Sequence, residues 1–235
     1  AIRSGQIVGA ELLIRWFDPE QGFIAPDQFI PLAESCGLIH AIGHFVLEQA
    51  CTQGKVWLDQ GLPPLRLAVN VSAHQFSKGD LEQQVITILE QTQFPAHLLE
   101  LEVTESVLMQ DKTLVIRTMQ QLRAAGIRLA IDDFGTGYSS LAYLQQLPLD
   151  LLKVDRRFIE KMTASEDDRQ ISKAIIELGH TLRFDVLAEG VETAEQLALL
   201  KDMACDYYQG YYCSKPLPAE AFRQLLLQQI ASKPL

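Results

Sequence analysis

The chain lacks any run of about 18 apolar residues, so no helix written in it can span a bilayer. It also lacks the charged-then-apolar leader of a secretory signal. Cysteine is sparse and unpaired: Cys36, Cys51, Cys205 and Cys213 form no Cys-x-x-Cys motif and lie mostly inside apolar or helical patterns. That pattern predicts buried free thiols rather than a disulfide frame, in a reducing, cytoplasmic setting. Positive charge is short. Twenty Lys and Arg against thirty Asp and Glu leave a formal charge of −10, which excludes a protein that coats DNA by displacing its counterions. No low-complexity linker or break in composition divides the chain, so residues 1–235 read as one domain. There is no Met at position 1, which predicts a piece of something longer. The full-length protein could carry a membrane anchor, but nothing predicts membrane contact by this domain.

What is present is an apolar-rich chain, 48 % hydrophobic, in which strand-like and helix-like segments alternate. Strands are predicted at 6–14, 65–71, 98–104, 127–131, 151–154, 184–188 and 205–208. Helices are predicted at 26–34, 39–60, 80–92, 112–125, 141–146, 165–182, 193–200 and 218–229. Gly126 is placed to end its helix in a left-handed turn, and Ser165 to cap the helix whose first turn carries Glu166, Asp167 and Asp168. Seven strands nearly all separated by helices imply a parallel α/β sheet, with several strands apolar on both faces because helices cover them. A TIM-like (β/α) barrel fits best, and an open doubly wound sheet second. A closed barrel needs an eighth strand, expected upstream of Ala1.

Polar residues fall at one end of these strands. Asn70 ends Leu-Ala-Val-Asn, Glu102 and Glu105 close Leu-Glu-Val-Thr-Glu, and Asp132 and Asp133 end Leu-Ala-Ile-Asp-Asp. Lys153 and Asp155 end Leu-Leu-Lys-Val-Asp, Glu189 and Glu192 follow Val-Leu-Ala, and Gln209 ends Asp-Tyr-Tyr-Gln. On the first strand the two-residue period puts Glu11, Leu13 and Arg15 on one face. The C-terminal rim of a barrel is where catalytic side chains collect. Adjacent aspartates repel each other and resist desolvation unless a cation balances them. As an isolated motif, Asp132-Asp133 before a glycine loop is equally a solvated turn; the strand ends together favour a shared site. Glu11, Asn70, Glu102, Asp132 and Asp133 are hard oxygen donors that suit Mg²⁺ or Mn²⁺. Five exceed one octahedral ion that keeps waters, so two ions are expected, the arrangement that clamps a phosphoryl displacement. Lys153 could hold the attacking water, and Arg15 could fork onto a phosphate.

Other signals carry less. His40 and His44 have the spacing of a zinc pair but no intervening glutamate, so a partly exposed helix face is the simpler reading. Gly135-x-Gly137 lacks the third glycine of a dinucleotide loop. Glu102 with Glu105 suggests a glycosidase pair but leaves the aspartates, Asn70 and Lys153 without roles. Tyr207, Tyr208, Tyr211 and Tyr212 read as packing, with one available to stack on a base.

The chain resembles the EAL domain family of cyclic diguanylate phosphodiesterases. The resemblance rests on Gly9-Ala-Glu-Leu-Leu-Ile-Arg-Trp16, Asn70-Val-Ser72, Glu102-Val-Thr-Glu105, Asp132-Asp-Phe-Gly-Thr-Gly-Tyr-Ser-Ser-Leu141, Leu152-Lys-Val-Asp155, Ala188-Glu-Gly-Val-Glu-Thr193 and Gln209-Gly-Tyr211 through Lys215-Pro216. Leu12 stands where the family name has Ala. The family's usual opening helix and Tyr-Gln-Pro strand do not appear. The resemblance implies that Glu11, Asn70, Glu102 and Asp132 bind one metal, and that Asp132 bridges to a second held with Asp133 and, directly or through water, Glu189. It implies that Lys153 positions the water with support from Gln209 and Glu192, and that Glu105 anchors the loop 134–140, which couples to dimer contacts. Leu13, Arg15, Asp155 and Pro216 would meet the ligand, cyclic di-GMP, and the product would be linear 5′-pGpG. A homodimer and an upstream sensory or GGDEF domain are implied as well. A silent receptor for the same ligand is the alternative; the intact ligand set favours an enzyme.

Overall fold

Seven parallel strands form one curled sheet, and the reason lies in how each strand divides its residues. A computed structural model describes residues 1–135 and 141–231. In chain order the elements are β1 (Gly9–Leu12), β2 (Trp16–Asp18), β3 (Gly22–Ile24), α1 (Pro26–Ser35), α2 (Ile39–Asp59), β4 (Arg66–Val71), α3 (Ala73–Lys78) and α4 (Leu81–Thr92). There follow β5 (Leu99–Thr104), α5 (Lys112–Ala124), β6 (Arg128–Phe134), α6 (Leu141–Leu144), β7 (Leu151–Val154), α7 (Arg156–Lys161), α8 (Glu166–Thr181), β8 (Asp185–Ala188), α9 (Ala194–Asp202), β9 (Tyr207–Tyr208) and α10 (Ala219–Ala231). The strand order is β1-β4-β5-β6-β7-β8-β9, all pairs parallel, as repeated strand–helix units require. The edge strands curl toward each other. Gln209, directly after β9, reaches Glu11 on β1 at 3.0 Å, while no ladder joins these two strands among the described residues. The result is a TIM-like barrel with a seam.

Each strand sends alternate residues outward to the helices and inward to the barrel. The outward set is apolar and buried: Leu67, Val69 and Val71 on β4, Leu99, Leu101 and Val103 on β5, Leu129 and Ile131 on β6, Leu152 and Val154 on β7, Val186 and Ala188 on β8. The inward set differs from the expectation of apolar faces on both sides. It carries Glu100 and Glu102 on β5, Arg128 and Asp132 on β6, Lys153 on β7 and Asp185 on β8. Arg128 and Lys153 offset part of this negative charge inside the barrel, which helps Glu100, Glu102 and Asp132 to be buried. At the N-terminal ends of the strands Arg128 bonds Glu100 at 3.2 Å and Asp185 at 3.0 Å, and Arg66 lies over the Tyr207 ring at 4.6 Å. This layer closes the barrel floor. The opposite end is left to the site.

Local chemistry sets the boundaries. Ser165 and Thr193 cap α8 and α9, each accepting an N–H three residues on, and Gly126 adopts a φ of +90° after α5. The first predicted strand, 6–14, is shorter in the structure: β1 ends at Leu12, and the chain turns into the β2–β3 hairpin. Asp18 makes that turn by accepting the N–H groups of Glu20 and Gln21, with Gly22 at φ +76°. The capped helices α3 and α7 also follow strand ends directly and were not predicted. The expectation of buried thiols holds for Cys51 and Cys205 but not for Cys36 and Cys213, which are exposed. His40 and His44 lie on a partly exposed face of α2. Among the described residues no helix is long and apolar enough to cross a membrane.

Candidate active site

The site is built where the inward residues reach the C-terminal ends of the strands. Glu102 lies opposite Asn70 across the β4–β5 pair, and Asp132 opposite Thr104 across β5–β6. Lys153 projects from β7 into the same layer with no solvent exposure. Its ammonium sits 2.9 Å from Glu102, 2.9 Å from Glu189, 3.1 Å from Asp132 and 3.5 Å from Glu11. Gln209 donates to Glu189 at 2.8 Å and to Glu11 at 3.0 Å, and Asn70 donates to the other Glu11 oxygen at 2.6 Å. Four carboxylates therefore converge on one cation.

Asp132 and Asp133 were expected at the mouth of a strand ending at Ile131. The strand instead continues to Phe134 with its register broken between Ile131 and Phe134, and Asp133 takes a left-handed φ of +54°. A regular strand would send neighbouring side chains to opposite faces; the irregularity turns both carboxylates to one side. Two triplets result, Glu11–Glu102–Asp132 and Asp132–Asp133–Glu189, each with oxygens within 4.8 Å of one another, and they share Asp132. Every donor is a hard oxygen. The set fits divalent metal ions, and these residues can hold them.

The electrostatics record a shortage of positive charge. Burial pushes Glu102 well above the ordinary carboxylate range, with the Lys153 ammonium opposing this and Glu11 and Asp132 reinforcing it. Burial likewise raises Glu189 to about 7, again against Lys153 and with Asp132. Asp133 is raised to about 6 by burial and by Asp132 and Asp155. Burial acts against charge on Glu11 too, but Lys153, Gln209 and Asn70 outweigh it and hold that carboxyl low. Desolvation of Lys153 is overcome by its carboxylates, so it remains an ammonium. One lysine does not balance five carboxylates.

The remaining predicted residues divide. Leu13, Arg15, Glu192 and Pro216 line a cavity of about 1060 Å³ that opens beside the cluster, bounded by β1, β8, β9 and the β2–β3 hairpin. Glu192 is exposed on that wall and stands apart from the carboxylates that surround Lys153. Asp155 is not a lining residue: it caps α7, accepting Arg157 N at 2.7 Å and Arg157 Nε at 3.0 Å, and it faces Asp133. Glu105 accepts the Gly135 N–H at 3.2 Å, and its other carboxylate oxygen is buried with no partner among the described residues. The rest of the predicted loop, 136–140, lies outside the described residues. Sequence reasoning did not single out Arg156 or Glu160, both of which line the cavity; their short helix α7 hid behind the strand-end motif.

The sequence model of the EAL domain matches residues 1–216. The chain belongs to the EAL domain family. It is 46 % identical over 218 residues, 92 % of its length, to the bifunctional diguanylate cyclase/cyclic di-GMP phosphodiesterase MucR of Pseudomonas aeruginosa. It is 46 % identical over 226 residues, 96 % of its length, to the cyclic di-GMP phosphodiesterase NbdA of the same organism. The chain spans only 32 % and 29 % of those relatives. The solved PaMucR phosphodiesterase in complex with c-di-GMP superposes with a TM-score of 0.89 at 45 % identity, over 93 % of this chain and 88 % of that one.

Proposed function

We propose that this EAL domain is a metal-dependent phosphodiesterase that hydrolyses cyclic di-GMP to linear 5′-pGpG. The observation that carries the reading is the pair of carboxylate triplets sharing Asp132 around a buried lysine. Similarity to relatives named as cyclic di-GMP phosphodiesterases supports the choice of substrate. Glu11, Asn70, Glu102 and Asp132 would hold one Mg²⁺ or Mn²⁺, and Asp132, Asp133 and Glu189 the second. When bound, the ions supply Lewis acidity toward phosphoryl oxygens and make a nearby water acidic.

The chain's own residues do the rest. Lys153, fully desolvated, holds the attacking water and offers positive charge where negative charge grows. Gln209 fixes the Glu11 and Glu189 carboxylates through both amide hydrogens, so those ligands are oriented in advance. Glu192 supports the same end of the cavity. Leu13, Arg15 and Pro216 contact the dinucleotide along its wall, and Arg15 can fork onto a phosphate. Asp155 acts indirectly, by facing Asp133 and capping α7. Glu105 tethers the loop after β6 through Gly135, linking the metal-holding aspartates to a homodimer contact. In the full-length protein, sensory or GGDEF domains would set this activity.

The test is incubation with cyclic di-GMP and Mg²⁺ or Mn²⁺, followed by separation of products. Linear pGpG should form, and chelator should stop it. Tight binding without turnover in either metal would make the domain a receptor instead.

A further inference from the structure

Arg156 opens α7 and makes no ion pair among the described residues. Its neighbour Arg157 is paired with Asp155 at 3.0 Å, whereas Arg156 has no carboxylate within ion-pair distance among the described residues. It stands exposed at the start of α7 and lines the cavity beside the cluster. Its stem is held against Gly190: a Cβ there would lie 2.6 Å from the Arg156 Cβ, and Gly190 has a φ of +68° that disfavours any side chain. The loop after β8 is thus shaped to let the Arg156 stem pass.

The same wall carries Glu160, one turn along α7, and Glu192, two residues beyond Gly190. This composition selects among ligand groups. Two carboxylates beside one arginine repel a phosphate. A guanine base suits them, because its O6 and N7 accept from a guanidinium fork while its N1–H and amino group donate to a carboxylate. Side chains one helical turn apart lie about 5–6 Å apart at Cβ, so Arg156 and Glu160 can address neighbouring edges of one ring.

We propose that Arg156 and Glu160 form the guanine-reading edge of the substrate cavity, Arg156 donating to O6 and N7 and Glu160 accepting from N1–H and the amino group. The inference rests on the phosphodiesterase reading and deepens it: the metal-holding cluster addresses the phosphate, and this wall addresses the base.

The experiment compares cyclic di-GMP with bis(p-nitrophenyl) phosphate, a diester that has no base, in wild type, Arg156→Met, Arg156→Lys and Glu160→Ala. Arg156→Met should raise KM for cyclic di-GMP roughly 5- to 100-fold, the worth of one bidentate base contact, with kcat within about twofold. Lys should not restore it, since an ammonium has no fork. Glu160→Ala should raise KM in the same sense, and hydrolysis of the base-free diester should be unchanged in all three. An unchanged KM for cyclic di-GMP, or a loss shared equally by the two diesters, overturns the proposal, the latter by making Arg156 a phosphate contact. A wild-type protein that does not cleave cyclic di-GMP defeats the parent reading instead, and melting curves of the variants should match wild type because both side chains are exposed.

Discussion

Replacing Lys153 by Met isolates the charge balance on which the site depends. Lys153 is wholly buried and sits within 2.9–3.5 Å of Glu102, Glu189, Asp132 and Glu11. Methionine keeps most of the volume and removes the charge. Four carboxylates then share a desolvated hollow with no counter-ion, and removing one partner of a buried ion pair costs about 3–5 kcal/mol. For a chain of 235 residues, 1 kcal/mol shifts the melting temperature by roughly 2–4 °C, so the metal-free variant should melt about 6–20 °C below wild type. The assay is thermal unfolding in EDTA at pH 8, repeated with Mn²⁺. Metal should restore much of the loss, because ions that bind only the folded state add stability by mass action, and the restored gain should exceed that of wild type, whose ammonium competes for the same oxygens. At pH 5 the deficit should shrink, since Glu189 and Glu102 take up protons there. A Lys153→Met protein that melts within about 2 °C of wild type in EDTA at pH 8 would refute the charge-balance account.

Metal-free wild type should itself lose stability as pH rises. Glu189 binds a proton more tightly when folded, with its pKa raised from 4.5 to about 7, so the folded state holds more protons across that window and stability falls as pH climbs through it. The magnitude is on the order of 3 kcal/mol, and Glu189→Gln should flatten the profile of melting temperature measured from pH 5 to 8. Asp133, raised to about 6, acts in the same sense. Asp132→Asn should cut turnover at least about 100-fold while leaving circular dichroism intact, because it removes the carboxylate common to both triplets; substantial residual hydrolysis would contradict the metal assignment. Arg128→Met should lower the melting temperature with or without Mn²⁺, since it strands the buried Glu100 at the barrel floor, far from the metal-holding end. Thr193→Ala should cost about 1 kcal/mol by removing the cap of α9, read from urea unfolding.

Much of this molecule was written locally. Apolar periodicity and cap residues placed the helices, and Leu151–Val154 emerged with the bounds its sequence indicated, because short-range propensity and burial agree there. The chemical identity of the site was also legible: hard oxygen donors at strand ends need a cation wherever they meet. Tertiary structure alone decided that they meet. Glu11 and Gln209 are 198 positions apart, and only the curl of the sheet brings them to 3.0 Å. The broken register and left-handed backbone at Asp133 follow from how β6 pairs with β7, so no pattern along the chain could announce that two neighbouring aspartates face the same way. The charged lining of the barrel was masked for a similar reason. Glu100, Arg128 and Asp185 carry no signal one by one, and they become an ion-paired floor, with Glu100 buried and the other two partly exposed, only once parallel strands stagger them into one layer, where opposite charges offset the loss of water.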